Sequence, residues 1–160
     1  MVKARGFTLV ELMVTVTVMS VILLAAVPLT MGWSSSARQL ETANLLKQGV
    51  SRAKATALRN PGGVGLESPA AALCLSNDTL SLVRQDKAGT FSCSPSNSSY
   101  SIWSAKVPEG VAVQVGGADF QCLAMDNRGL AVNQSGCATA AANSITVSTG
   151  GQDAIEVPII

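Results

Sequence analysis

Lys3-Ala4-Arg5-Gly6-Phe7-Thr8-Leu9-Val10-Glu11-Leu12-Met13-Val14 is the stretch from which the rest of the chain is read. Two basic residues and a glycine precede a phenylalanine. A long apolar run follows, with one carboxylate, Glu11, inside it, and no other charge occurs from Leu12 to Ala37. A charged side chain within a membrane-length helix costs about 3 kcal/mol or more, so a carboxylate there usually has a partner. Phe7 to Met31 is long enough to cross a bilayer as a helix, at ~1.5 Å per residue against ~30 Å of hydrocarbon. Its many Val and Thr residues are mediocre helix formers in water, but in lipid the backbone must satisfy itself and a helix wins. A secretory signal peptide fits less well: its cleavage site would follow the apolar core, and Glu11 would interrupt that core.

The basic leader, Gly6, Phe7, Thr8, Leu9 and Glu11 together resemble the type III signal of type IV pilins and type II secretion pseudopilins. Pro28 falls where many pilins carry a helix-bending proline. The resemblance implies that a prepilin peptidase cuts after Gly6, that the new terminal Phe7 is N-methylated, and that Glu11 contacts the terminal amine of a neighbouring subunit. It also implies an α+β pilin-like fold: a long N-terminal helix, half membrane-spanning and half amphipathic, packed on an antiparallel β-sheet head. The implied partners are the peptidase, the inner membrane, and other major or minor pilins meeting this chain through the N-terminal helix. An ordinary signal anchor is the bland alternative.

The expected organisation is a leader over 1–6, a transmembrane and filament-core helix over 7–33, an amphipathic helix over 34–59 and a β-rich head over 60–160. Pro28 removes one backbone hydrogen bond and should bend or loosen the turn before it. Gly32-Trp33 marks the membrane exit, with Trp33 either an interfacial anchor or a packing residue. Leu40, Ala43, Leu46, Val50, Ala53 and Ala57 recur at spacings of three and four, which puts them on one helical face. The small residues Ala43, Ala53 and Ala57 let a sheet approach closely. Asn60-Pro61-Gly62-Gly63 then ends the helix.

Beyond Gly63 the pattern changes to period two. Expected strands are Ala71–Ser76, Thr79–Arg84, Ser101–Ala105, Val111–Val115, Phe120–Met125, Leu130–Val132, Ser144–Ser148 and Ala154–Val157. Turn signals separate them, including Ser76-Asn77-Asp78, Lys87-Ala88-Gly89, Pro108-Glu109-Gly110, Gly116-Gly117, Asp126-Asn127-Arg128-Gly129 and Gly150-Gly151. A polar loop is expected over Ser94 to Ser99.

Charge divides unevenly along the 160 residues. The leader carries Lys3 and Arg5. The stem to Arg59 has five basic residues against two acids, and the head has four against eight, a net −4. An acidic head argues against nucleic acid as a partner, because backbone phosphates need clustered positive charge. Basic residues ahead of the anchor keep the N-terminus cytoplasmic and place the head outside the inner membrane. Cys74, Cys93, Cys122 and Cys137 fit that oxidising side. Three pairings are possible. Cys74–Cys93 and Cys122–Cys137 are favoured because each closes a short loop, worth about 3 kcal/mol apiece in the chain-entropy account.

The chain contains no histidine, which excludes every histidine-based triad, dyad or metal site. No cysteine pair has the CxxC spacing of a zinc site. No catalytic residue, metal, cofactor or small-molecule substrate is expected, and the scattered head carboxylates read as solvated surface. Asp126-Asn127-Arg128-Gly129 lacks the alternating oxygen ligands and terminal Glu of a calcium loop and reads as a β-turn.

Leu46, Arg52-Ala53, Ala57 and Arg59, followed by helix breakers and a β-rich remainder, resemble the GspH/FimT family of minor pilins and pseudopilins. The Arg-Ala pair stands in reversed order to the usual pattern. Some members bind DNA through an arginine-rich loop near the C-terminus, and the corresponding hairpin here, Thr149-Gly150-Gly151-Gln152-Asp153, has no arginine. The expected function is therefore a minor pilin or pseudopilin, acting by assembly into a type IV pilus. A type II secretion pseudopilin, a DNA- or surface-binding pilin, and a membrane-anchored periplasmic enzyme are the alternatives.

Overall fold

The computed structural model describes residues 6–85, 93, 100–135, 137 and 142–159, with the side chains of 27–31 left aside. The leader residues Lys3 and Arg5, the turn expected at Lys87-Ala88-Gly89 and the polar loop at Ser94 to Ser99 lie outside the described residues. The fold is α+β and pilin-like, with a long N-terminal helix and antiparallel sheets. The chain divides into two compact units, Met1–Ser35 and Ser36–Ile160.

One helix, α1, spans Leu9–Arg59 and contains both segments expected from the sequence. Thr8 starts it: its hydroxyl accepts from the Glu11 amide at 3.3 Å and its carbonyl from the Leu12 amide at 3.2 Å. That is an N-cap, which satisfies one of the orphan donors of the first turn. Asn60 ends the helix in the left-handed region, φ 42°, a conformation that asparagine tolerates. Its side chain then clasps Val64 both ways, donating from Nδ2 to the carbonyl at 2.9 Å and accepting the amide on Oδ1 at 2.8 Å.

Nine strands follow among the described residues. They are β1 (Ala71–Ser76), β2 (Thr79–Arg84), β3 (Ser101–Lys106), β4 (Val111–Val115), β5 (Ala118–Asp119), β6 (Cys122–Met125), β7 (Ala131–Val132), β8 (Ser144–Thr149) and β9 (Ile155–Pro158). A five-stranded sheet runs β3-β2-β1-β6-β7 and a four-stranded sheet β5-β4-β8-β9. Asn77 and Asp78 both have positive φ, which closes the β1–β2 hairpin with a two-residue turn whose twist matches its strands. Gly116 and Gly117 do the same between β4 and β5, a two-residue strand that the sequence pattern did not separate from the turn. Phe120, expected at a strand start, precedes β6; its amide bonds the Val113 carbonyl at 2.9 Å and its ring is buried.

The central strands of the five-stranded sheet, β1 and β6, are buried on both faces, whereas edge strand β3 is largely exposed. Ala71, Leu73, Leu80, Leu82, Leu123 and Met125 point into the main core, with Ala43, Leu46, Val50, Ala53 and Ala57 of α1. Ala72, Cys74, Val83, Cys122, Ala124 and Val132 form a second, smaller core on the other face. This explains the unbroken apolar run Ala71-Ala72-Leu73-Cys74-Leu75, in which alternation is weak because neither side meets water. The four-stranded sheet contributes Val113, Ile145, Val147 and Val157 to the main core.

One residue of the expected helical stripe is corrected. Leu40 is 55 % exposed, whereas Gln39 is buried at 2 %. Stepping back from Ala43 by four rather than three residues reaches the head-facing side, and there the strands offer carbonyls. Gln39 Nε2 donates to the carbonyl of Val147 at 2.9 Å and to that of Asp153 at 2.7 Å. An aliphatic side chain at this place would leave both of those bonds unmade.

Helix and sheet approach closely at Gly49, where a Cβ would stand 2.9 Å from Leu73 Cδ1 and 3.3 Å from Leu80 Cδ2. Both leucines are fully buried and have nowhere to retreat. Gly49→Leu therefore forces the helix off the sheet. The expected loss is about 1–3 kcal/mol of stability from overpacking, despite the better helix propensity of leucine. Denaturant midpoints of the full-length protein in non-ionic detergent check this; an unchanged midpoint would contradict the close approach.

Candidate functional site

In the N-terminal unit the apolar window Leu9–Ala26 has a mean hydropathy of 2.4, and none of it is buried within the structure. So much uncovered apolar surface needs lipid or another helix against it. The polar groups in this window are largely self-satisfied. Thr15 donates to the Leu12 carbonyl at 2.9 Å, Thr17 to that of Met13 at 2.6 Å and Ser20 to that of Val16 at 2.8 Å. Back-bonding of this kind removes most of the penalty for a hydroxyl in hydrocarbon.

The site residues of this unit sit at its very start. Gly6 has open space where a Cβ would stand, and Phe7 is 79 % exposed, so the Gly6–Phe7 junction is uncovered. Glu11 lies in the first turn of α1, exposed, where the helix dipole favours a negative charge. No side chain among the described residues forms an ion pair with it. Thr8, read from the sequence only as part of the signal motif, joins this group as the cap of the helix. The spacing Thr8-x-x-Glu11 is the signature of a capping box and could have revealed it. Pro28 lies inside α1, and the bend expected there falls on side chains outside those described.

In the head the four cysteines come together on the face of the five-stranded sheet away from the main core. Cys74 on β1 and Cys122 on β6 are register partners. Each is joined not to the other but outward, Cys74 to Cys93 with Cα atoms 5.6 Å apart and Cys122 to Cys137 with Cα atoms 4.5 Å apart. The two bridges pack side by side with Tyr100 over Ala72 and Ala124. They roof the second core as well as constrain the unfolded chain.

Further contacts fasten α1 and the segment that follows it to the rest of the head. Arg52 places its guanidinium 5.1 Å from the Trp103 ring centroid, a cation–π contact between the helix and edge strand β3. Asn127 Nδ2 donates to the Val64 carbonyl at 3.2 Å, which ties the end of the helix to the next turn. The late hairpin is also engaged: Gln152 Oε1 accepts from the Ser36 hydroxyl at 2.9 Å.

Asp126 anchors the Asp126–Gly129 turn from a fully buried position. Its Oδ1 accepts the amides of Arg128 at 2.9 Å and Leu130 at 3.0 Å, and its Oδ2 meets Arg128 Nε at 2.8 Å and Nη2 at 2.7 Å. Every strong acceptor direction is thus used by the protein itself, as a β-turn requires. Burial pushes this carboxyl up, but the Leu130 amide, the Arg128 side chain, the Arg128 amide and the Arg128 charge together hold it below the usual carboxylate range.

Residues 1–27 match the family described as the Prokaryotic N-terminal methylation motif. No curated protein and no solved structure matches the chain. The match spans the basic leader, the Gly6–Phe7 junction, Glu11 and all of the apolar window. With the α+β arrangement of helix and antiparallel sheets, it makes the chain pilin-like in signal and in fold.

Because the Asp126 carboxyl is lowered on folding, its contribution is complete above the ordinary aspartate range and is lost as pH falls through that range toward the folded value. Stability of the wild type should therefore drop more steeply below about pH 4 than that of Asp126→Asn. At neutral pH the substitution should cost about 1–3 kcal/mol, from charge-assisted hydrogen bonds weakened or lost. Denaturant melts at a series of pH values check both; parallel pH profiles would contradict the assignment.

Proposed function

We propose that this chain is a minor pilin or pseudopilin, a structural subunit of a type IV pilus that acts in assembly initiation or in a tip-proximal complex. The carrying observation is the methylation motif over residues 1–27, which contains the whole uncovered apolar window of the helix. Such a motif points to a structural protein rather than an enzyme. The chain is held in the inner membrane by a single pass, with its N-terminus cytoplasmic and its head periplasmic. A prepilin peptidase cuts between Gly6 and Phe7, and the new terminal amine is methylated. The apolar helix then exchanges lipid for neighbouring helices, and Glu11 pairs with the amine of an adjacent subunit. That pairing offsets the cost of a charge in an apolar environment and sets axial register.

The paired cysteines support a periplasmic head, because disulfides persist in oxidising compartments. The presence of Glu11 favours a subunit that sits beneath another rather than at the extreme tip. A role in a type II secretion pseudopilus rests on the same motif and differs in the neighbours, which cross-linking and co-purification from cell envelopes would identify.

Two measurements test the proposal. N-terminal sequencing of protein from cells carrying the peptidase should find a methylated chain beginning at Phe7; a mature chain beginning beyond Trp33 would overturn it. Glu11→Ala should remain inserted and processed but fall at least ~10-fold in the sheared-filament fraction, since an amine left unpaired in an apolar core costs more than ~1.4 kcal/mol. Equal recovery in that fraction would show that the carboxylate does not act by this pairing.

A further inference from the structure

We propose that the cleft between α1 and the β3–β4 connection binds a phosphoethanolamine head group. The cleft has a volume of about 370 Å³ and is lined by Arg38, Lys106, Val107, Pro108 and Glu109. It is open to solvent rather than enclosed. Arg38 comes from the first turns of the head's part of α1, and the other four residues from the end of β3 and the loop beyond it. The fold therefore brings two cations and one carboxylate to one cleft from positions about seventy residues apart in sequence.

The charge pattern selects the ligand. Arg38 and Lys106 are both exposed at their ends, and among the described residues neither forms an ion pair with Glu109. Arg38 Nη1 reaches only the Glu109 backbone carbonyl, at 3.5 Å, a weak contact that leaves most of its donors for a ligand. A guanidinium beside an ammonium suits a phosphodiester, with Arg38 able to bind two oxygens at once. A dianionic phosphate or a purely anionic ester would be repelled by Glu109. A zwitterion fits better: its phosphate meets Arg38 and Lys106, and its primary ammonium donates to the Glu109 carboxylate. The apolar edge formed by Val107 and Pro108 covers the two-carbon link.

Arg38 is the first charged residue after Glu11, and it lies twelve residues past the end of the apolar window at Ala26. Connectivity alone keeps it within reach of a bilayer surface. A phospholipid is thus one source of the head group and a soluble phosphoethanolamine ester is the other. Only the choice of source rests on the membrane anchoring proposed above; the cleft chemistry stands without it.

The test is native mass spectrometry of the full-length protein in a non-ionic detergent, with phosphatidylethanolamine, phosphatidylcholine and phosphatidylglycerol of identical acyl chains added in turn. The wild type should hold phosphatidylethanolamine at least ~5-fold more than phosphatidylcholine, whose trimethylammonium has no N–H to donate to Glu109. The double variant Arg38→Gln/Lys106→Gln should lose that preference, and Glu109→Gln should shift it toward phosphatidylglycerol. A control pair, Lys47→Gln/Lys54→Gln, removes the same charge elsewhere on α1 and should change nothing. Soluble phosphoethanolamine, tested alone, separates the sources: binding equal to the lipid's assigns the cleft to a free ester, and much weaker binding assigns it to the membrane. Lipid adducts unaltered in the Arg38/Lys106 variant, or lowered equally by the control pair, would overturn the proposal. The anchoring and processing experiments read different residues, so either proposal can fail alone.

Discussion

A β-sheet whose central strands carry apolar side chains on both faces is the constraint that the head obeys. Such a sheet cannot leave either side to water, since each buried leucine is worth about 1.5–3 kcal/mol over an exposed one. One face is covered by α1, the other by two disulfides and their neighbours. The coverings differ because the available material differs. The helix supplies a stripe of small and medium residues, and its Gly49 lets Leu73 and Leu80 lie almost against the helix backbone. The opposite face holds alanines and cysteines, too small to build a thick layer, and the sulfur bridges supply the missing bulk.

Several polar groups at the margins are satisfied by the same elements. Gln39 enters the core only because it caps two carbonyls of the four-stranded sheet region. Asp126 is buried only because two backbone amides and the Arg128 guanidinium surround it. A buried carboxylate without such partners would be strongly destabilising, so this turn and its arginine form one unit. Asn60 and Asn127 both reach Val64, which joins the end of the helix to that turn.

The N-terminal unit follows the opposite logic. Its apolar residues are uncovered, its hydroxyls bond its own backbone, and its single carboxylate stands in the first turn behind the Thr8 cap. Nothing in the described residues of that unit buries this surface. A helix of this kind finds its complement in lipid or in other helices, whereas the head finds its complement within itself. The methylation motif falls within the N-terminal unit, and the folding determinants in the other.

The sequence alone determined the long helix, its breakers at Asn60-Pro61-Gly62-Gly63, most strand positions and the cleavage-like junction at Gly6–Phe7. These are local signals: an apolar run, a period of two, a turn dipeptide. Tertiary structure decided what depends on which surfaces meet. Leu40 and Gln39 are neighbours in a plausible stripe, and only the position of the Val147 and Asp153 carbonyls selects the glutamine for burial. Gly49 reads as a weak point in a helix until Leu73 is seen against it. The split of the core into two layers is invisible in a run such as Ala71-Ala72-Leu73-Cys74, because the pleat assigns alternate residues to different partners. Arg38, Lys106 and Glu109 are unremarkable surface charges in the sequence. Only the packing of helix and loop makes them neighbours, because a cleft is a property of surfaces brought together across the chain.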